Sequence, residues 1–167
     1  MNLKELITET NNILANNFNL NKLKKLYSND IDCDLELNFD INKYTRNLVY
    51  KNDIFQIVIM CWPSKFESSI HNHNKSECLY KIIKGSLEEK IYSMHNNKIK
   101  LVNKIKLNEG HIGNINDDLG IHSVYNMLNT TCISLHLYIP AYTQTEIFEI
   151  DDNMNYKSKL IDLFFDN

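Results

Sequence analysis

The chain has 167 residues, of which 43% are hydrophobic and 23% are charged, and its formal net charge is -3. This length predicts one domain whose core is large enough to fold without disulfide bonds. The nearly balanced charge offers no basic surface for nucleic acid or for an anionic membrane, so we expect neither partner. Scattered cysteines, no secretory leader and no apolar run of membrane-spanning length predict a cytoplasmic protein with free thiols, which we expect to be a monomer.

The first part of the chain, residues 1–47, predicts a mainly helical N-terminal cap. Apolar residues recur there at intervals of three and four, as at Leu3, Leu6 and Ile7, which is the spacing of one helix face. A polar cluster at residues 28–30 indicates a break in the helical pattern. We therefore expect two or three short helices rather than one long helix.

From residue 53 onward the pattern changes to short strands. Residues 55–62 are a nearly continuous β-branched and aromatic run, typical of a strand buried on both faces. Further strand-like segments occupy residues 69–73, 79–83, 87–92, 99–107, 112–116, 121–126 and 132–139. Such spacing predicts a β-sandwich or small barrel over residues 53–142. Residues 143–167 are expected to close the single domain, with Leu160, Leu163 and Phe164 buried in a terminal helix or strand.

Two histidines separated by one residue, His71 and His73, are the strongest chemical signal in the sequence. Alternate residues of a strand project from the same face, so both imidazoles can reach a single point. A third histidine, His122, occupies another predicted strand. Three imidazoles on adjacent strands can form a facial ligand set that leaves the opposite side of a metal ion open. An isolated pair of this kind is also compatible with ordinary surface histidines.

Two sequence motifs resemble those of the cupin superfamily. The residues that match the first motif are His71, His73, Cys78 and Gly85, and those that match the second are Gly120, His122 and Asn126. Cys78 stands where most cupins carry a metal-binding glutamate. With the matching segments 44–48, 61–62 and 134–138, this pattern is similar to that of the thiol dioxygenases, specifically the cysteine dioxygenase family. The resemblance extends from about residue 44 to residue 142.

This resemblance implies a cupin jelly roll, that is, a mainly β small barrel with the helical cap at its N-terminus. It also implies one iron(II) per chain, held by the neutral imidazoles of His71, His73 and His122. The implied reaction is oxidation of L-cysteine by O2 to 3-sulfinoalanine (cysteine sulfinic acid). The site has no carboxylate ligand, and the thiolate of the substrate supplies the soft anionic donor instead.

The resemblance assigns three residues to substrate binding. Arg46 would grip the substrate carboxylate with two parallel hydrogen bonds, which lysine cannot do. Tyr44 lies on the same face as Arg46 if the segment is extended. Trp62 matches the family tryptophan that packs against Cys78 and Tyr138, and as a lone aromatic residue it would equally belong to the core. Related enzymes that act on 3-mercaptopropionate carry glutamine in place of Arg46, so arginine favours an α-amino acid substrate. Without the resemblance, Arg46 would be interpreted as a solvated surface residue.

Ser134, His136 and Tyr138 alternate along one predicted strand and so share a face. The resemblance implies that Tyr138 lies near the reacting groups, with His136 and Ser134 behind it in a relay that orients the phenol. It also matches Cys78 and Tyr138 to a pair that forms a thioether crosslink in animal members of the family. The alternative for this strand is a polar face that contacts solvent.

Other functions remain open at this point. The chain could be a thiol dioxygenase for 3-mercaptopropionate or cysteamine, or a cupin that binds a metal without catalysis. A three-histidine zinc hydrolase is also possible, because the same ligands suit tetrahedral zinc. We expect His95 and His111 to be surface residues. Ile139 precedes Pro140 where the family often has serine before a cis proline.

Overall fold

The computed structural model describes residues 1–33 and 36–166, so Asp34 and Leu35 of the predicted cap and Asn167 of the closing segment lie outside the described residues. The helices are α1 (Leu3–Ala15) and α2 (Leu20–Tyr27). The strands are β1 (Thr45–Lys51), β2 (Gln56–Trp62), β3 (Ile70–His71), β4 (Glu77–Lys84), β5 (Ser86–His95), β6 (Lys98–Asn108), β7 (Ile112–Ile115), β8 (Ile121–Tyr125), β9 (Cys132–Ile139), β10 (Gln144–Ile150) and β11 (Tyr156–Asp162). No helix in the described part of the chain is long and apolar enough to cross a membrane.

Local side-chain chemistry fixes the ends of the two helices. Asn2 and Glu5 form a capping box, in which each side chain accepts a hydrogen bond from the other residue's backbone N–H. The Asn19 side chain accepts from Lys22 N at the start of α2. The helix ends at Ser28, which confirms the predicted break.

The strands form two sheets that face each other as the halves of a jelly roll. The order is β1-β2-β9-β4-β7 in the five-stranded sheet and β11-β10-β3-β8-β5-β6 in the six-stranded sheet, with antiparallel neighbours. Neither sheet closes on itself. The fold is therefore the predicted jelly roll, but its strands do not form a closed barrel. One core contains residues of both sheets, among them Val58, Trp62, Leu87 and Tyr138.

The helical cap covers the outer face of the five-stranded sheet. Leu6 of α1 and Leu23 and Tyr27 of α2 belong to a second core with Ile57 and Leu137. Every residue of β2 is buried, because one face of this strand contacts the inner core and the other contacts the helices. This confirms the prediction of a strand buried on both faces.

Two predicted segments differ from the structure. β1 begins at Thr45, inside the residues that we assigned to the helical cap, and the described residues 36–44 contain no helix. The closing segment forms the hairpin β10–β11, in which Leu163 is half-buried whereas Leu160 and Phe164 are 57% and 76% exposed. The predicted burial of Leu160 and Phe164 is therefore wrong. β11 is an edge strand, and one face of its hairpin contacts solvent.

Candidate active site

The three histidines meet between the two sheets. His71 in β3 and His122 in β8 are directly opposite each other across one antiparallel pair. Their Nε2 atoms are 3.2 Å apart, and one ligand atom from each of His71, His73 and His122 lies within 4.8 Å of the others. The structure thus brings together the three residues that the sequence predicted as metal ligands.

His73 reaches this point by a different route from the one predicted. β3 ends at His71, so His73 lies in the following loop and not on the same strand. Asp117 fixes that loop, because its carboxylate accepts from the backbone N–H of His73 at 2.7 Å and from that of Lys75 at 2.7 Å. The alternation of a strand therefore does not account for the position of His73, and Asp117 supplies the missing constraint.

The hydrogen bonds around the imidazoles fit a metal site. His71 Nδ1 donates to the carbonyl of Ser69 at 2.9 Å, and His122 Nδ1 donates to Glu89 Oε1 at 2.7 Å, which leaves each Nε2 with its lone pair toward the centre. His73 Nδ1 is buried and has no partner among the described residues. Converging lone pairs are satisfied by a cation, and imidazole is a common ligand of iron and zinc.

Burial keeps the imidazoles of His71 and His73 neutral. Burial and the neighbouring His122 lower the pKa of His71 to about 3. Burial also lowers the pKa of His73 well below its ordinary value, and the neighbouring histidines lower it further. A neutral imidazole is the form that binds a metal ion, so His71 and His73 stay available as ligands near neutral pH.

The Arg46 guanidinium lies in the same interior, although arginine is usually exposed. The residue is 5% exposed, and its Nε and Nη2 atoms have no hydrogen-bond partner among the described residues. Its Cζ atom is 5.6 Å from the ring centre of Tyr138 and 5.7 Å from that of Phe165. A buried cation with two unpaired donors is suited to an anionic ligand that accepts both hydrogen bonds.

Tyr44 and Trp62 form an aromatic wall beside Arg46. Their ring centres are 5.1 Å apart and the rings are stacked, and the ring of Phe66 contacts Tyr44 edge-on at 5.7 Å. Both Tyr44 and Trp62 line the cavity that contains Arg46.

The polar face of β9 forms a relay whose last step differs from our expectation. Trp62 Nε1 donates to Ser134 Oγ at 2.7 Å, and Ser134 Oγ lies 2.7 Å from His136 Nε2. The other ring nitrogen of His136 is 3.6 Å from Cys78 Sγ, so the relay reaches the thiol and not the phenol. The His136 ring stacks on Tyr138 at 5.8 Å instead, because both residues project from the same strand face. Burial and the charge of Arg46 lower the pKa of His136 to about 3.

Cys78 and Tyr138 are directly opposite each other where β4 pairs with β9. Both side chains are buried, and the Arg46 guanidinium lies over the Tyr138 ring, with Cζ 5.6 Å from the ring centre. Burial raises the pKa of the Cys78 thiol and of the Tyr138 phenol well above their ordinary values. The two groups are thus adjacent and protonated near neutral pH.

One cavity of about 140 Å³ connects these groups. Its polar residues include the three histidines, Arg46 and Tyr138, and its apolar residues include Met60 and Val124. A cavity of about 150 Å³ is known to hold a molecule of the size of benzene. A ligand of similar size, such as a small amino acid, therefore fits here.

Comparison with known proteins identifies the family of this chain. The sequence model of the family described as "Cysteine dioxygenase type I" matches residues 2–151. This chain belongs to that family. It is 36% identical over 143 residues to cysteine dioxygenase type 1 of Bos taurus, which covers 82% of this chain and 70% of the relative. The human cysteine dioxygenase type 1 is 37% identical over 127 residues, covering 73% and 62% of the two chains.

Solved structures support the fold of this cysteine dioxygenase family member. A protein with a double-stranded β-helix domain from Klebsiella pneumoniae aligns with a TM-score of 0.51 at 15% identity, covering 73% of this chain and 89% of its own. A cupin protein from Desulfovibrio desulfuricans aligns with a TM-score of 0.50 at 20% identity, covering 65% and 95%. The cupin jelly roll is therefore confirmed. Members of the cysteine dioxygenase family are metal-dependent dioxygenases, and this chain has a three-histidine metal-binding site.

Sequence reasoning missed Glu89 and Tyr80, which hold His122 in place. Tyr80 donates a hydrogen bond to Glu89 Oε2 at 2.8 Å, while the other carboxylate oxygen accepts from His122. A signal for Glu89 was present, because it alternates with Leu87 and Ile91 on the inward face of a strand. A carboxylate at such a position needs a partner. His111, which we expected at the surface, is half-buried and stacks on Tyr80 at 6.4 Å.

Proposed function

We propose that this protein oxidises L-cysteine with O2 to cysteine sulfinic acid at one iron(II) held by His71, His73 and His122. The observation that carries the proposal is the presence of three converging imidazoles and one buried guanidinium in a single small cavity. In the overall reaction both oxygen atoms of O2 add to the thiol sulfur, which loses four electrons, and no other product is released.

In the proposed complex, Arg46 binds the substrate carboxylate. Its unpaired Nε and Nη2 lie on one edge of the guanidinium and match the two oxygens of a carboxylate. Pairing is favoured because the donors are already removed from water, and an unpaired charge in this environment is costly. The hydroxyl of Tyr44, on the same wall of the cavity, is the second group that we assign to the carboxylate.

The iron supplies the redox chemistry by which dioxygen reacts with a thiolate, and the protein contributes ligands, orientation and exclusion of water. The candidate ligand set contains three histidines and no carboxylate, so the thiolate of the substrate would supply the anionic donor to an iron held there. Tyr138 lies between the imidazole trio and Arg46, 6.0 Å from the His73 ring centre. We assign its phenol to orienting the oxygen-bearing groups. The relay of Trp62, Ser134 and His136 holds the neighbouring Cys78 thiol.

The proposal includes a thioether between Cys78 and Tyr138. The bond forms between Cys78 Sγ and a ring carbon beside the phenol oxygen, the two groups lose two hydrogen atoms, and O2 accepts the two electrons. Adjacent positions across β4 and β9 support this reaction. Mass spectrometry of the peptides tests it: the linked peptide pair would be lighter than the sum of its parts by the mass of two hydrogens. A pair that stays unlinked after repeated turnover would contradict it.

Oxygen consumption by anaerobically iron-loaded protein tests the function directly. We expect uptake with L-cysteine at a higher kcat/KM than with 3-mercaptopropionate or cysteamine, and one O2 consumed per sulfinate formed. Uptake that is fastest with another thiol would identify a different thiol dioxygenase. No uptake with any thiol would overturn the enzymatic proposal. Zinc-loaded protein is the control, because zinc is redox-inactive and should support no oxygen uptake. Hydrolytic activity of the zinc-loaded protein would indicate a zinc hydrolase instead.

The substitution Arg46→Gln tests the carboxylate clamp and the choice of substrate. Glutamine lacks the charge and the paired donors, so we expect L-cysteine turnover to fall about 100-fold or more, the effect of losing a charged hydrogen-bond partner. Turnover of 3-mercaptopropionate should fall less, because the related enzymes that act on it carry glutamine at this position. Turnover of cysteamine, which has no carboxylate, should fall least. Steady-state kcat/KM for the three thiols measures the differences, and equal losses on L-cysteine and cysteamine would contradict the clamp.

We also propose a monomer in the cytoplasm. All four cysteines are free thiols in the structure, which fits a reducing compartment. Light scattering of the purified protein and fractionation of the source cells measure the two properties.

A further inference from the structure

The last described residues, 163–166, form a C-terminal arm that crosses from one sheet to the other. β11, which precedes the arm, is an edge strand of the six-stranded sheet, and β1 is an edge strand of the five-stranded sheet. Leu163 N donates to Thr143 O at 2.7 Å, and Asp166 N donates to Arg46 O at 2.9 Å. The arm therefore closes the open side of the sandwich at the strand that carries Arg46.

Asp166 fastens this arm through its side chain. One carboxylate oxygen accepts from Arg46 N at 2.8 Å, and the other pairs with Lys43 Nζ at 2.8 Å. These contacts engage the backbone of Arg46 and leave its guanidinium to the cavity. The arm thus holds Arg46 from outside without competing for the donors that face the ligand.

Phe165 places its ring against the Arg46 guanidinium from this arm. The Cζ atom of Arg46 is 5.7 Å from the Phe165 ring centre, within the range of a cation–π contact. Leu163 of the arm and Ile161 at the end of β11 also line the cavity that contains Arg46. The match to the family model ends at residue 151, so this wall is built from residues outside the matched region.

We infer that the C-terminal arm is a specificity-determining wall, and that Phe165 is a positioning residue that holds the Arg46 guanidinium for a carboxylate-bearing thiol. The inference rests on the proposed function, because it assigns Arg46 to the substrate carboxylate. With Phe165 in place, Arg46 is shielded from water, so its attraction for a carboxylate is strong. A thiol without a carboxylate leaves the buried donors unpaired and is rejected. If the Phe165 ring is removed, water can reach Arg46. The attraction for a carboxylate and the rejection of thiols without a carboxylate then both weaken.

The test compares Phe165→Ala with Phe164→Ala in the iron-loaded enzyme. Phe164 is the adjacent residue on the same arm, but it is 76% exposed and serves as the matched control. For Phe165→Ala we expect the KM for L-cysteine to rise about 30-fold, the effect of losing a desolvated cation–π contact, with a smaller change in kcat. The kcat/KM for cysteamine, which lacks the carboxylate, should stay the same or rise. Phe164→Ala should match the wild type, and Phe165→Tyr should restore most of the affinity.

Binding of L-cysteine under anaerobic conditions gives a readout that does not depend on turnover. Calorimetry should show the same loss of affinity for Phe165→Ala. Hydrogen exchange should show faster exchange of the Arg46 amide in Asp166→Ala, because this amide loses its acceptor. Equal KM values for the Phe165 and Phe164 variants would overturn the inference while leaving the proposed function intact. A wild-type enzyme that does not oxidise L-cysteine would overturn the proposed function itself.

Discussion

Glu89 is the residue outside the imidazole trio that contributes most to the geometry of the site. Its carboxylate joins His122 Nδ1 to the Tyr80 hydroxyl, and it is 1% exposed. A carboxylate in this position fixes the tautomer and the ring orientation of a ligand histidine and increases its basicity. The hydroxyl of Tyr80 in turn prevents the carboxylate from turning away.

Replacing Glu89 with alanine is expected to lower metal affinity by about 10- to 100-fold, the usual effect of losing a partner of this kind. His122 would then be free to rotate and to change its tautomer. Competition between the apo-protein and a coloured chelator for Co²⁺ measures the affinity independently of catalysis. Glu88→Ala is the control, since Glu88 is adjacent on β5 and lies on the opposite face. Equal affinities for the two variants would mean that Glu89 does not position the ligand.

At the scale of the elements, the pairing of β3 with β8 determines which histidines can meet. His71 and His122 are partners in that pair. A slip of one residue in the pairing would turn the side chain of one of these histidines to the outer face of the sheet. The sequence was sufficient to predict this part of the site, because two motifs placed histidines on strands with a known alternation. The same alternation correctly predicted that Ser134, His136 and Tyr138 share a face.

The rest of the site depends on contacts between residues that are far apart in the chain. Asp117 reaches His73 across 44 positions, and Asp166 reaches Arg46 across 120 positions. The sequence around Asp117 resembles that of an ordinary exposed turn, and the sequence around Asp166 resembles that of an ordinary chain end. Such partners could not be predicted from periodicity, because their positions follow from how the two sheets close against each other.

The packing of β4 against β7 gives a prediction about Gly113. This glycine pairs with Tyr80, and a methyl group at Gly113 would overlap the Tyr80 ring and hydroxyl. We expect Gly113→Ala to cost about 1–3 kcal/mol of unfolding free energy, as overpacking of a core does. In a Tyr80→Leu background the cost should fall to less than half, since the obstructing ring is absent. Urea unfolding of the four proteins in this double-mutant cycle measures the coupling. Additive effects would contradict it.

At the scale of the whole molecule, the active site is enclosed by parts that join only when the fold is complete. The two sheets supply the metal ligands and Arg46, and the C-terminal arm bridges their edges. The helical cap stiffens the five-stranded sheet from outside, because α1 and α2 share a core with β2 and β9. Local opening of the arm would therefore expose Arg46 without unfolding the metal site. Detachment of the arm is therefore a local equilibrium whose free energy differs from that of unfolding the whole protein.

The acid sensitivity of the arm follows from Asp166. Partial burial opposes ionisation of its carboxyl group, but Lys43 and the Arg46 N–H outweigh it, and the pKa of Asp166 is lowered. A carboxyl group with a lowered pKa in the folded state stabilises the fold above its unfolded pKa of about 3.9, and the contribution is lost as the pH falls through the folded value. The arm should therefore remain docked at neutral pH and at pH values of about 5.

We expect the arm to detach as the pH falls below about 4, before the core unfolds. An NMR titration that follows the Asp166 carboxyl carbon and the Arg46 amide measures the step, and both signals should change together. Asp166→Asn keeps an acceptor for Arg46 N but lacks the titrating charge, so its Arg46 amide should show no such step. An Asp166 that titrates at or above about 3.9 in the wild type would contradict the lowered pKa. In that case Lys43 does not stabilise the docked arm, and its attachment depends on the backbone hydrogen bonds and on the Phe165 contact alone.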